Sequence, residues 1–340
     1  MLYKFILTFF LFVFLLRLNA QANDFNTINF KKADSIAKVY RGETLHNLPQ
    51  LSYNLTYSLK TEAEQFRAIY KWVCENIAND YNLYKKNDYK RQRFKNNSVK
   101  FKAWNNEFRR QLFHKLLKKK RTICTGYAYL VRELSRLADI ECEIVQGFGR
   151  VSTTDVDKLD IPNHSWNAVK LNNKWYLCDP TWASGIPNPE SNRFEFKYND
   201  GFFLARPELF AINHFPVDSK WWLLDKDIPT FEAFLASPVL YGNAYKNLNT
   251  IITSKVMHHD IKKGDSISFE FELKNIVRKE AIKLLIDSGN NAWERKPTSV
   301  TSVNNKFTIK QRFVKTGFYD VHIYIGDDLI ATYTVKVKKT

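Results

Sequence analysis

Cysteine is scarce in this chain: four in 340 residues, Cys74, Cys124, Cys142 and Cys178. That is too few for a disulfide framework at this size. If Cys124 stays a free thiol, the others can form only one bridge and leave one over, so packed, reduced cysteines are expected. No cysteine–histidine spacing resembles a zinc site, and no calcium-binding loop is visible; neither metal nor cofactor is expected. Long apolar runs are missing too, apart from Phe5 to Leu16. That run is short for a membrane span, which takes roughly 20 residues. It follows an early lysine and leads into Ala20-Gln21-Ala22, the pattern of a secretory leader cleaved after Ala20 or Ala22. No cysteine follows it, which argues against a lipoprotein. Residues 1–22 are therefore expected to be a signal peptide, and the mature protein to be secreted or periplasmic with no transmembrane segment.

What is present is hydrophobic and aromatic, 44% and 15% of the chain, as in a well-packed globular protein long enough for two domains. The net charge of +17 is concentrated. Residues 85–121 hold fifteen lysines and arginines against Asp88 and Glu107, a net of +13. Without these and the leader's Lys4 and Arg17, only about +2 remains. Basicity is thus the property of one insert. Trp104, Phe108, Leu112, Phe113, Leu116 and Leu117 are spaced for a helix within it that buries an aromatic side. Basic plus aromatic can signal nucleic acid, but the leader and the lack of a recognisable nucleic-acid module argue against that partner. An anionic surface (wall polymer, lipid headgroup or acidic protein) and a merely solvated face are the readings left.

Ahead of the insert, residues 23–60 read as a lead-in with a helix around Lys31–Tyr40. Thr61 and Glu64 form a capping box, and Phe66, Ile69, Tyr70, Val73 and Ile77 mark one face of the helix it opens. That helix should stop near Ala78 and exit as loop. After the insert, Tyr127, Leu130, Val131, Leu134, Leu137 and Ala138 recur at helical steps. Thr122 or Thr125 could cap this helix, which puts Cys124 in or just before its first turn. Unpaired amides and the helix dipole there favour a thiolate.

A strand, Glu141–Phe148, is followed by a polar loop and then by two strand-forming runs around Asn172-Asn173, a pair suited to a two-residue hairpin turn. That turn pairs residues whose numbers sum to 345, so Ala168 faces Leu177 and Lys170 faces Trp175. His164 and Asp179 then become diagonal neighbours on one face. A cysteine at a helix start, a histidine and a carboxylate are the nucleophile, base and orienter of a thiol triad.

The stretches I-C-T-G-Y-A (123–128), H-S-W-N-A-V (164–169) and W-Y-L-C-D-P-T-W (175–182) resemble the three motifs of the transglutaminase-like superfamily, a papain-like cysteine fold. A-I-Y-K-W-V-C-E-N-I-A-N-D-Y (68–81) is similar to the helix preceding the core. The stretch 202–224 resembles the branch of the kyphoscoliosis peptidase and the fungal cytokinesis proteins. The resemblance covers about residues 61–240. It implies Cys124 as nucleophile, His164 as base and Asp179 as orienter, with a transient thioester. It also implies an oxyanion held by the Cys124 N–H and a second donor, for which Trp72, Trp104 and Trp166 are candidates. No glutamine stands in the six residues before Cys124. For His214 a structural or cleft-lining role is expected.

From about Tyr241 the chain reads as short strands separated by turn signals at Gly264-Asp265, Gly289-Asn291 and Gly326-Asp328. An antiparallel immunoglobulin-like sandwich over residues 245–340 is expected. The fold class is then α+β: a papain-like, transglutaminase-like domain of N-terminal helices plus antiparallel sheet over 61–240, followed by the all-β sandwich. The expected function is thioester acyl transfer on protein or peptide amides, most simply as a cysteine peptidase. A non-catalytic scaffold on the same fold and a protein-crosslinking enzyme are the alternatives.

Overall fold

The computed structural model describes residues 22–25, 27–188 and 193–339. Except for Ala22, the expected leader lies outside these residues. Among them, no helix is long and apolar enough to cross a membrane.

Three helices lead: α1 (Lys31–Val39), α2 (Leu48–Thr56) and α3 (Glu62–Asn76). The lead-in thus holds two helices rather than one. The second begins where Asn47 accepts the Gln50 N–H and a proline occupies the first turn. In α3 the capping box forms, and Phe66, Ile69, Tyr70 and Val73 are wholly buried. Buried Arg67 ties α3 to Asp34 of α1 at 2.6 Å and also pairs with Asp200.

The chain does not leave α3 as loop. Ala78–Asn79 forms β1, which pairs in parallel with β2 (Arg121–Thr122). Between these two short strands the basic insert folds as a helical hairpin, α4 (Tyr81–Phe94) and α5 (Ser98–Lys119), capped by Asp80 and Asn97. Two helices stand where one was expected. Phe108, Leu112 and Leu116 of α5 are buried and Trp104 partly so, but Leu117 is exposed. The apolar face is narrower than the spacing suggests.

Helix α6 (Cys124–Leu137) packs on α2, α3 and the central sheet. That sheet is built from β3 (Cys142–Gly149), β4 (His164–Leu171) and β5 (Lys174–Cys178). Asn172 and Asn173 turn between β4 and β5 with φ of 49° and 62°, the left-handed pair of a tight hairpin. The expected register holds, with Ala168 opposite Leu177 and Lys170 opposite Trp175. A short helix α7 (Pro180–Ser184), a hairpin of β6 (Gly185–Asn188) and β7 (Arg193–Phe196), and α8 (Pro207–Asn213) follow. Then β8 (His214–Pro216) returns to close an antiparallel sheet of order β5-β4-β3-β8.

The C-terminal strands are β9 (Val239–Leu240), β10 (Leu248–Ile251), β11 (His258–Lys262), β12 (Ser266–Leu273), β13 (Ile282–Asp287), β14 (Ala292–Arg295), β15 (Ser299–Val303), β16 (Lys306–Arg312), β17 (Gly317–Ile325) and β18 (Asp328–Lys338). They form an immunoglobulin-like sandwich of two sheets, β10-β12-β16-β15 and β11-β18-β17-β13-β14, with β9 also on β18. Ile267, Phe269, Phe271 and Leu273 alternate into its core, as a half-buried strand requires. The sandwich is not wholly antiparallel, because β11 runs parallel to β18. The turn signals at Gly264-Asp265, Gly289-Asn291 and Gly326-Asp328 fall between β11 and β12, β13 and β14, and β17 and β18. One buried apolar cluster runs through both parts of the molecule.

Candidate active site

Cys124 is the first residue of α6. Neither threonine caps this helix: the N-cap is Ile123, extended and without a side-chain bond, while Thr122 belongs to β2. The Gly126 and Tyr127 amides both close on the Ile123 carbonyl, leaving those of Cys124 and Thr125 as the helix's unpaired donors. Gly126 is required here, because a Cβ on it would lie 1.8 Å from Thr122 Oγ1.

His164 opens β4, and its Nε2 meets Asp179 Oδ2 at 2.7 Å. The ring stacks on Trp182, with centroids 4.6 Å apart. Asp179 ends the β5 run as N-cap of α7, and its Oδ1 accepts the Thr181 and Trp182 amides at 2.8 and 3.1 Å. Its own carbonyl accepts the Tyr70 hydroxyl at 2.9 Å. The hairpin register and a helix cap thus fix the carboxylate jointly.

Electrostatics follow from this wiring. Burial opposes ionisation of Asp179, but the His164 imidazolium and two imidazole hydrogen bonds outweigh it and hold the carboxyl well below the usual range. Burial likewise opposes charge on His164, yet Asp179 and Cys124 push its pKa up to about 10. For Cys124, burial is overcome by His164 and the Ser165 backbone N–H, so the thiol pKa falls. The other three cysteines, all free and buried, go the opposite way. Burial pushes Cys142 up to about 12 and raises Cys74 and Cys178 well above the usual thiol value. One cysteine in four is set up as a thiolate.

The cleft over Cys124 is lined by Thr125, Gln146, Asn163, His164 and Ser165 on one side and by Tyr84, Asn87, Asp88 and Arg91 of α4 on the other. Sequence reasoning found neither Gln146 nor the α4 wall. Gln146 stands opposite Ser165 in the β3–β4 ladder. Its Oε1 accepts the Ser165 hydroxyl at 3.1 Å, leaving its NH₂ group as a donor in the cleft. Its place on a strand paired to the histidine strand was the available signal. None of the three candidate tryptophans lines the cleft. The Trp72 indole N–H is spent on the Tyr40 carbonyl and that of Trp104 on Asn87. Trp166 is buried behind the histidines with its ring against His214; its N–H has no partner. These positions correct the expectation that one of them serves as second oxyanion donor.

The cleft is closed. Its cavity is about 30 Å³, room for roughly one or two waters, and Cys124 is only 6% exposed. Next to Arg91, the Gln92 amide of α4 reaches Lys158 O and Asp160 Oδ1 at 3.3 Å, and Lys95 pairs with Asp160, which ties α4 to the loop after β3. A wider groove of about 830 Å³ lies on the hairpin itself, between α4 and α5, lined by Lys86, Arg110, His114, Lys115 and Lys119 with Glu107. It contains no triad residue.

His214 also reaches the triad: its Nε2 lies 3.1 Å from Asp179 Oδ2. His164, Asp179 and His214 together have the donor types of a metal site. However, both imidazoles already bond through one carboxylate oxygen, and a cation would have to break that arrangement.

A helix-start thiolate, an imidazole on a carboxylate and a helix-plus-antiparallel-sheet frame define a thiol domain of the transglutaminase type. Residues 49–180 match the family model described as the transglutaminase-like superfamily, so this part of the chain is a transglutaminase-like domain. The same part of the chain is similar to proteins of the kyphoscoliosis-peptidase branch. The Homo sapiens kyphoscoliosis peptidase is 32% identical over 197 residues, 57% of this chain and 27% of that protein. Cytokinesis protein 3 of Schizosaccharomyces pombe is 25% identical over 196 residues, 56% and 20% of the two chains. Hillarin of Drosophila melanogaster is 23% identical over 214 residues, 59% and 24%. The chain spans about a quarter of the length of these curated relatives.

Proposed function

We propose that this protein is a thiol-dependent acyl-transfer enzyme, in its simplest form a cysteine peptidase acting on protein or peptide amides. The observation that carries this is geometric: Cys124 opens α6 in a cleft that His164 also lines, and His164 Nε2 lies 2.7 Å from Asp179 Oδ2.

In this reading the Cys124 thiolate attacks the amide carbonyl, and the oxyanion is held by the Cys124 N–H and the Gln146 side-chain amide. His164 gives its proton to the leaving amine as the C–N bond breaks and the thioester remains. His164 then takes a proton from water, whose oxygen attacks the thioester and releases the acid and the thiolate. Asp179 keeps the imidazole oriented throughout. An amine in place of water would give crosslinking by the same steps.

Alkylation tests the reading. Iodoacetamide at pH 6–7 should modify Cys124 faster than a free thiol, and His164→Ala should slow it at least tenfold, on the scale of a lost general base. Equal rates in the two proteins would sink it. The closed cleft favours one second reading, a non-catalytic binding protein on the same fold. Incubation with casein and dansyl-cadaverine, with Cys124→Ala as control, separates the outcomes: cleavage means peptidase, incorporation means crosslinking, and neither favours the binding protein.

The leader-like first residues support export of the protein. A mature N-terminus at Gln21 or Asn23 is expected on sequencing, and an intact Met1 in the native host would refute export.

A further inference from the structure

Two charged side chains of the α4 wall, Asp88 and Arg91, line the cleft, and among the described residues neither is in an ion pair there. Three other cations of the insert are in ion pairs: Lys95 with Asp160, Arg110 with Glu107, Lys115 with Asp80. Arg91 is in none. Its Nε is buried without a hydrogen-bond acceptor, and the ring of Phe101, 5.4 Å from the guanidinium carbon, is its one aromatic neighbour. Asp88, one turn earlier on the same helix, makes no ion pair with it. Half-buried charge without a partner is costly, and the surroundings show that cost, with Arg91 lowered and Asp88 raised chiefly by burial. Arg91 thus faces the Cys124 thiolate with its Nε still lacking an acceptor, and it loses that facing charge once the thiolate is consumed, so an incoming anion finds an open donor beside the nucleophile. The arginine's planar fork suits a carboxylate.

Resting on the acyl-transfer reading above, we propose that Arg91 is a specificity-determining residue. It selects substrates that carry a carboxylate close to the attacked carbonyl, an acidic peptide or a peptide bearing a free carboxyl group. The opposite wall contributes Gln146, Asn163 and Ser165, all uncharged, so beyond the triad the charges of the cleft are those of Arg91 and Asp88, and Arg91 is the one that attracts an anion. Asp88 sharpens the choice by disfavouring carboxylates placed nearer the start of α4.

Two alkylating agents of the same size read this out directly, one neutral and one anionic. The ratio of the iodoacetate rate to the iodoacetamide rate at Cys124 is measured at low salt and neutral pH. His164 acts on both reagents in every variant, so changes in the ratio isolate the α4 charges. Arg91→Gln should lower the ratio roughly three- to tenfold, Arg91→Lys should keep much of it, and Asp88→Asn should raise it. A ratio unchanged in a folded Arg91→Gln protein overturns the proposal. So does an equal fall in both rates, which would mean that Arg91 acts on the thiolate and not on the incoming anion. Asp88→Asn is an independent check should the arginine variants fold poorly: a ratio left unaltered there also counts against the assignment. If iodoacetamide proves no faster on Cys124 than on a free thiol, the catalytic reading fails while the ratio still reports on Arg91.

Discussion

His214 and Asp179 meet through the same carboxylate oxygen that His164 uses, at 3.1 Å beside 2.7 Å. With the Thr181 and Trp182 amides on the other oxygen, the carboxylate is fully occupied. His214 stacks on Phe210 at 3.6 Å between centroids, and its Nδ1 lies 3.1 Å from the Phe210 carbonyl. Burial pushes its pKa down to about 4, so near neutral pH the ring is uncharged and has one proton for two acceptors. The carboxylate is the stronger acceptor and takes it. His214 is thus a positioning residue, holding Asp179 where His164 needs it.

Replacing His214 tests that role. His214→Phe keeps a ring but removes the donor, and the iodoacetamide rate of Cys124 at pH 7 should fall about three- to tenfold. Stability should fall by roughly 1–3 kcal/mol, the usual cost of an orphaned buried acceptor. His214→Gln, which retains an N–H at similar reach, should recover part of the alkylation rate. A folded His214→Phe protein that reacts as fast as wild type would reduce the residue to core packing.

The histidine–thiolate pair also sets a pH window for stability. His164 is raised to about 10, so its contribution is complete below its unfolded value of about 6.5 and is lost as pH rises through about 10. Cys124, lowered in the fold, compensates until the unfolded thiol ionises near 8.5. Net loss is therefore expected between about pH 8.5 and 10, on the order of 1–3 kcal/mol. Urea midpoints at pH 8 and pH 10 should separate in wild type and converge in His164→Gln. On the acid side, His214 is lowered to about 4, so stability falls as pH drops from about 6.5 toward that value.

The bridge from α4 to the loop after β3 is the third target. Lys95 and Asp160 are half-exposed, so their pairing is weak and salt-sensitive. Lys95→Ala combined with Asp160→Ala should let α4 lift and speed alkylation of Cys124 up to about fivefold. Raising the salt should speed wild type but leave the double variant unmoved. Unchanged accessibility in that variant would mean that α4 is held by its own packing.

Which parts could be read in advance follows from where each residue sits. Cys124, His164 and Asp179 were legible because a helix start, a two-residue turn and a strand register are local features. The Asn172-Asn173 turn alone decides that His164 and Asp179 share a face. The α4 wall was not legible: Leu83 and Asn87 are its buried residues, and the side turned to the cleft is polar, so no apolar stripe announces a helix. His214 lies 35 residues beyond Asp179 and reaches it only because β8 folds back onto β3. Strand β14 is exposed throughout, which removes the alternation that marks a strand, and β15 only half-buries Val300 and Ser302 on its inner face.

The parallel pairing of Ala78 with Arg121 and of Asn79 with Thr122 brings the two ends of the helical hairpin side by side at the edge of the core. Everything between behaves as a cassette with a fixed socket. On the acyl-transfer reading, the hairpin that walls the cleft and the segment that carries Cys124 are thus separate stretches of chain, joined by two pairs of residues.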